Sequence, residues 1–319
     1  FCIACFIRDT VGALGMHRAA PVQYIRPEII GLILGAYVLS MIRGEHQSRG
    51  GSSPIIRFIL GFFVMIGALI FLGCPLRMIL RLGGGDLNAL FGIAGFAGGI
   101  GFGTIFLKRG YSLQRTYALS KLESAMMPAI QVGLLILVVT APAFIFFSQK
   151  GPGAMHAPWL ISLAAGLVVG GLSQFSRLCT VGGFRDLFLF KKSILIFGYL
   201  AVLVGVFLVN ISFGNFHLGF ENQPIAHADG LWNFLGMALA GFCSVLLGGC
   251  PLRQLIMTGE GNSDAAVTVL GLAAGAAFAH NFGLAASGAG PTLNGQIAVG
   301  IGFVVALIIA ILNTKRANA

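Results

Sequence analysis

Apolar residues in this chain run in long uninterrupted stretches instead of alternating with polar ones. Nine stretches stand out, at 28–42, 55–73, 87–107, 126–147, 157–176, 194–212, 231–249, 264–284 and 295–312, the first being the shortest. A hydrocarbon core of roughly 30 Å takes about 20 residues of helix to cross, which most of these supply. Backbone groups in lipid must be bonded within their own segment, and a transmembrane barrel would show period-two alternation. The pattern therefore predicts an all-α integral membrane protein with about nine transmembrane helices. Composition points the same way: of 319 residues, 57% are hydrophobic, 9% are charged and 47 are Gly, too little charge to coat a soluble domain.

The formal charge of +10 does not indicate nucleic acid, because the Lys and Arg residues are scattered over the loops between spans and form no basic domain. Strict alternation of spans puts the loops at 43–57, 108–123, 177–193 and 250–263 and the tail on one side, with 14 of the 20 Lys and Arg. Positive-inside bias makes that side cytoplasmic and places Lys315 and Arg316 in the cytoplasm. Six Cys without a dense framework do not form a disulfide scaffold. The chain opens at Phe1, and a preceding segment is expected from the repeat described next.

Gly73-Cys74-Pro75-Leu76-Arg77 recurs as Gly249-Cys250-Pro251-Leu252-Arg253, and the same offset of 176 aligns Gly83 with Gly259, Gly85 with Gly261, Gly95 with Gly271, Gly99 with Gly275 and Phe102 with Phe278. At an offset of 177, Cys2, Arg8 and Asp9 align with Cys179, Arg185 and Asp186. Two motifs in the same order at nearly the same offset indicate a duplication. The first unit is read as 1–123 with its last helix at 124–150, and the second as 151–319. The helix at 157–176 has no counterpart in the first unit, so a further span is expected before Phe1. Five spans per unit is an odd number, which makes the two units inverted relative to each other, a recurrent transporter design.

The chemistry is expected at the duplicated motifs. Pro75 and Pro251 cannot continue the helices they follow, and Gly-rich turns come next, so short re-entrant helices are expected there. Broken backbone at membrane depth is tolerated where it is buried in protein or lines a wet cavity, and a new helix start offers free N–H groups to an anion. Arg77 and Arg253 are then fixed positive charges beside the path. The competing reading makes the motif a packed helix end with a snorkelling Arg. Arg8 and Arg185 are path candidates too, although Asp9 and Asp186 could neutralise them as structural pairs. Cys2, Cys74, Cys179 and Cys250 each stand at an expected helix break, where a polarisable S–H could meet a soft anion. Cys5 and Cys243 lack counterparts; Cys243 reads as a small apolar side chain, and Cys2-x-x-Cys5 also reads as a redox or metal pair. His280 could line the path or bridge helices. His17, His46, His156, His217 and His227 fall in loops and read as solvated surface. No phosphate loop, zinc-spaced cluster or haem-type His pair is visible, and no metal or cofactor is expected.

These residues resemble the YeeE/YedE membrane proteins, through the duplicated Gly-Cys-Pro-Leu-Arg, the Cys…Arg-Asp segments and the Gly-rich spans. The wording around Cys5-Phe6-Ile7-Arg8-Asp9 and Leu178 to Asp186 is closer to the branch associated with selenium metabolism. The resemblance implies an hourglass-shaped protein of the cell inner membrane with short helices dipping in from both sides. It also implies uptake of thiosulfate, passed along by Cys at the constrictions; by motif, these would be Cys74, Cys250 and one or both of Cys2 and Cys179. The four symmetric Cys plus Cys5 depart from the thiosulfate pattern, so the expected substrate is thiosulfate or a selenium species such as selenite. Rival readings are a membrane thiol-disulfide oxidoreductase using Cys2 and Cys5, and a scaffold handing sulfur or selenium to a cytoplasmic carrier protein.

Overall fold

Most helix starts in this chain are set by two kinds of residue, prolines that fit only the first turn and side chains that take up its free N–H groups. A computed structural model describes residues 1–192 and 194–314. Its helices are α1 (Ile3–Ala13), α2 (Pro27–Ile42), α3 (Pro54–Ile70), α4 (Pro75–Gly83), α5 (Asn88–Lys108), α6 (Lys121–Thr140), α7 (Trp159–Ser176), α8 (Thr180–Phe190), α9 (Ile194–Ser212), α10 (Gly230–Leu247), α11 (Pro251–Gly259), α12 (Ser263–Asn281) and α13 (Leu293–Leu312). Proline opens α2, α3, α4 and α11. Ser120, Asp229, Asn262 and Thr292 cap α6, α10, α12 and α13 by accepting an N–H of the first turn. Among the described residues one two-stranded sheet forms, β1 (Arg49–Gly50) antiparallel to β2 (Tyr117–Ala118), beside a few isolated bridges.

Among the described residues, nine helical segments are long and apolar enough to cross a membrane, so this is a multi-pass, all-α membrane protein. Each segment overlaps one of the nine apolar stretches, and the largest overshoot falls at one place. The stretch 126–147 overshoots: α6 ends at Thr140 because Ala141 turns left-handed and Pro142 cannot follow on. The apolar residues beyond it form a loop that tucks Ile145 into the interior and hydrogen-bonds Phe146 N–H to Ala13 O. Lys315 and Arg316 lie outside the described residues.

The bundle is held by helices whose glycines rest on a neighbour's backbone. On α5, a Cβ at Gly95 would meet Phe234 O and one at Gly99 would meet Ala238 O, both on α10. On α12, Gly271 sits on Phe58 O and Gly275 on Phe62 O, both on α3. Gly67 and Gly236 rest on each other's carbonyl where α3 crosses α10. The offset of 176 converts the α5–α10 contacts into the α12–α3 contacts, so each half seats its glycines on the other. The same exchange relates α4 packed on α9 to α11 packed on α2, and α1 on α12 to α8 on α5.

The loops gather into two sets. In one, Gln47 N–H bonds Glu260 O, Arg49 N–H bonds Gly261 O, Leu119 N–H bonds Ser48 O and Ser112 N–H bonds Asn313 O. In the other, Ser148 N–H bonds Gln23 O, Gly153 N–H bonds Pro21 O, Leu87 N–H bonds Gly219 O and Asn281 donates to Met16 O. Helix α4 ends in the second set, at Gly84 and Asp86, whereas α11 ends in the first, at Glu260.

If the glycine seats hold the bundle together, Gly95→Leu and Gly271→Leu should each lower thermal stability in detergent, at the usual cost of overpacking, about 1–3 kcal/mol or more. Gly205→Leu, on α9 with nothing around the added side chain, should leave the unfolding midpoint unchanged.

Candidate functional site

Among the described residues four α-helices are too short to cross a membrane, and each begins at a cysteine. Cys2 and Cys179 cap α1 and α8 in nearly identical backbone conformations, φ −153° and ψ 110° against φ −154° and ψ 112°. Each sulfur accepts an N–H of its own first turn, from Cys5 at 3.2 Å and from Gly182 at 3.3 Å. Cys74 and Cys250 cap α4 and α11, each followed by proline at the first helical position. The helix starts meet in pairs: Ile3 N–H of α1 donates to Cys74 Sγ at 3.3 Å, and the Cys179 thiol at the start of α8 lies beside that of Cys250 at the start of α11. All four cysteines, with Cys5, belong to one continuous buried core.

The Cys2–Cys5 relation differs from the four free S–H groups the sequence suggests at the helix breaks. One helical turn brings their Cα atoms to 5.3 Å, and the two are joined as a disulfide. The free thiols among the described residues are Cys74, Cys179, Cys243 and Cys250. Gly182 stands where Cys5 would have its counterpart, so the disulfide belongs to the first half.

The duplicated arginines have unlike surroundings. Arg253 donates to both carboxylate oxygens of Glu260, at 3.0 and 3.1 Å, and Glu260 also accepts from Arg177 at 2.6 Å. Arg77 makes no ion pair among the described residues; it donates to Pro224 O at 3.3 Å and leaves Nε buried without a partner. The sequence explains the contrast, because at the offset of 176 Glu260 corresponds to Gly84. Arg77 lines two neighbouring cavities. One, of about 300 Å³, is shared with Cys2, Cys5, Arg8, Asp9, Arg26 and Glu28, and the other, of about 420 Å³, with Arg81, Asp86 and Asn210. A larger cavity, of about 920 Å³, lies between the loops around His46 and Tyr117 and contains none of the candidate residues.

Arg8 and Asp9 are a buried pair, with Arg8 Nε and Nη2 donating to Asp9 Oδ1 at 2.8 and 2.7 Å. Asp9 is fully buried, and its second oxygen accepts from Arg26, so one carboxylate faces two guanidinium groups. Arg26 was not among the sequence candidates; it sits in a loop whose charges enter the sequence reading only through the side-by-side count. Arg185 pairs with Asp186 alone, at 2.9 Å, and both are partly exposed. The first half thus presents a surplus of positive charge around Arg8, Arg26 and Arg77, and the second half neutralises its own.

His280 is partly buried behind α1, its ring 4.7 Å from that of His17, outside the cavity of Arg77. Two of the loop histidines depart from the solvated surface expected of them. His17 is buried with Nε2 3.0 Å from Arg8 O, and His227 is buried with Nε2 2.8 Å from Ile70 O. Burial holds both below the ordinary imidazole pKa. His156 and His217 are exposed. Two hydroxyls that no motif pointed to, those of Thr180 and Tyr199, lie beside the Cys179–Cys250 pair. Among the described residues no group of three His, Cys, Asp or Glu could hold a metal ion.

Fold and site together define a multi-pass helical membrane protein with cysteine-capped half-length helices and a cationic cavity on one face of them. No protein-family model matches the chain, and no curated protein matches it either.

The unequal pairing can be measured. Asp9→Asn leaves two buried guanidinium groups without their carboxylate and should cost about 3–5 kcal/mol in detergent unfolding. Asp186→Asn, at a partly exposed pair, should cost about 0–1 kcal/mol. Equal losses would mean that the Asp9 cluster is open to water.

Proposed function

We propose that the chain is a transporter or channel for a small soft chalcogen anion, thiosulfate or a selenium species such as selenite, of the YeeE/YedE type. One observation carries the reading: four half-length helices begin at cysteines that meet in pairs in the buried core, beside a cavity where Arg77 has no carboxylate. Helix starts supply unpaired N–H groups and a positive dipole end, and thiols supply weak, polarisable donors. A path needs weak, repeated sites, because an ion held by full charges alone would leave slowly. The arginines recruit the anion, and the sulfur ligands hand it on.

The exchanged glycine contacts, together with the ending of α4 and α11 in different loop sets, support two units of opposite orientation. With the Lys- and Arg-rich loops in the cytoplasm, the cavity of Arg77 faces outward and the C-terminus inward, in the cell inner membrane. A cytoplasmic sulfur or selenium carrier protein would find only short loops to dock on.

The Cys2–Cys5 disulfide favours a second reading, a membrane thiol-disulfide oxidoreductase. Substituting both by Ser separates the two: exchange activity would vanish, whereas an anion path would only lose part of its flux.

Uptake of labelled thiosulfate and selenite into proteoliposomes tests the first reading. Arg77→Gln should slow uptake about tenfold or more at low salt and flatten its salt dependence. Arg253→Gln should matter less, since Glu260 already neutralises that charge. Cys74→Ala and Cys250→Ala should each lose most of the flux, and the Ser variants part of it. Wild-type rates in Arg77→Gln and in all these Cys variants would reduce the motif to a packing corner.

A further inference from the structure

We infer that the cavity of about 300 Å³ beside Arg77 binds a singly charged oxyanion that still carries a proton, with Arg77 and Glu28 as its recognising side chains, and so favours hydrogen selenite over thiosulfate. The inference rests on the transport reading above and chooses between the two anions that reading leaves open.

Most of the charged side chains around this cavity are spent on one another. Asp9 takes Arg8 on one oxygen and Arg26 on the other, and Arg26 also donates to Pro152 O. Arg77 and Glu28 are left. Arg77 donates to Pro224 O and keeps Nε buried without a partner. Glu28 is 8% exposed; its Oε1 accepts from Ser162 Oγ at 3.0 Å, and its Oε2 is buried with no hydrogen-bond partner among the described residues. One lining donor and one lining acceptor are therefore unsatisfied, and they do not bond to each other.

Glu28 follows Pro27 in the first turn of α2, where a carboxylate suits the positive end of the helix. That accounts for an acid at this position, but not for an oxygen left without a donor. The side chain has little freedom to seek one. Gly31 of α2 rests on Leu163 O and Gly166 of α7 rests on Glu28 O, which locks the backbone of Glu28 against α7, and Ser162 of the same helix holds the carboxylate by its other oxygen. A buried carboxylate served by a single neutral hydroxyl is costly, and a ligand that brings an O–H relieves it.

Hydrogen selenite, the form selenite takes near neutral pH, offers an oxygen to Arg77 and an O–H to Glu28. Thiosulfate is a dianion without a proton; it offers acceptors alone and sets its charge against that of Glu28. The charge of the lining agrees. Arg8, Arg26 and Arg77 against Asp9 and Glu28, with His156 neutral, leave one net positive charge, which a monoanion cancels and a dianion exceeds. A site that accepts a proton from its ligand rejects the analogue that has none, because its own buried acceptor then stays unpaired.

The test is calorimetry on the purified full-length protein in detergent at mildly acidic pH, with uptake into proteoliposomes alongside. Hydrogen selenite and thiosulfate are the probes, and dihydrogen phosphate and sulfate repeat the contrast with anions that do not react with thiols. The wild type should bind the protonated member of each pair about tenfold or more tightly, the effect of one hydrogen bond to a charged group. Glu28→Met removes the acceptor and the like charge together, so it should weaken hydrogen selenite about tenfold and tighten thiosulfate about tenfold. Opposite signs in one variant cannot come from misfolding, and the wild-type order decides the matter even if Glu28→Met does not fold. A wild type that binds thiosulfate as tightly as hydrogen selenite, or a folded Glu28→Met that shifts both anions in the same direction, would overturn the assignment and leave the transport reading standing. A wild type that binds and imports neither anion would overturn both.

Discussion

A helix that breaks where there is no water must find partners for the backbone groups it sets free, and that requirement organises this molecule. At the starts of the short helices the partners are sulfurs: Cys2 and Cys179 take an N–H of their own first turn, and Cys74 takes one from α1. At the end of α3 they are imported, Leu69 O from Ala286 N–H, Ile70 O from His227 and Phe71 O from Arg81. Each imported donor ties a distant loop or helix to the break. The burial of His227, unexpected for a loop residue, follows from its task at a carbonyl with no helical partner.

Much of the fold was legible because it depends on properties a sequence displays directly. Continuous apolar runs located the spans, and the paired Cys-Pro located the breaks. The overshoot at 141–147 shows the limit of hydropathy: those residues are apolar enough for a span, but Pro142 decides where α6 stops. The duplicated glycines marked close approaches without showing what they approached, which was the backbone of the opposite half.

The candidate site was legible in part. Identical motifs suggested identical roles, yet Arg77 is without a carboxylate and Arg253 is clasped by Glu260, a difference that arises seven residues downstream. Cys5 has no counterpart in the other half, and its spacing from Cys2 left a redox and a metal pair both open; a helical turn joins the two as a disulfide. Tyr199 gave no signal beyond being a phenol in an apolar run. What the sequence could not supply in each case was the neighbour, since pairing across helices is fixed by packing and not by spacing along the chain.

The reciprocal seating of glycines also bears on how such a chain reaches its membrane. Gly95 and Gly99 rest on residues of α10, which leave the ribosome roughly 140 residues later; at about 5–20 residues per second, that is on the order of 7–28 seconds. During this interval α5 must wait in the bilayer with its notched face turned to lipid, since the surface that fills it does not yet exist. Helix α3 waits longer still, because Gly271 and Gly275 of α12, which seat on it, follow roughly 213 residues after Phe58 and Phe62. Two interfaces that are equivalent in the finished bundle are thus unequal in the order of assembly, and the first-made half bears the longer exposure.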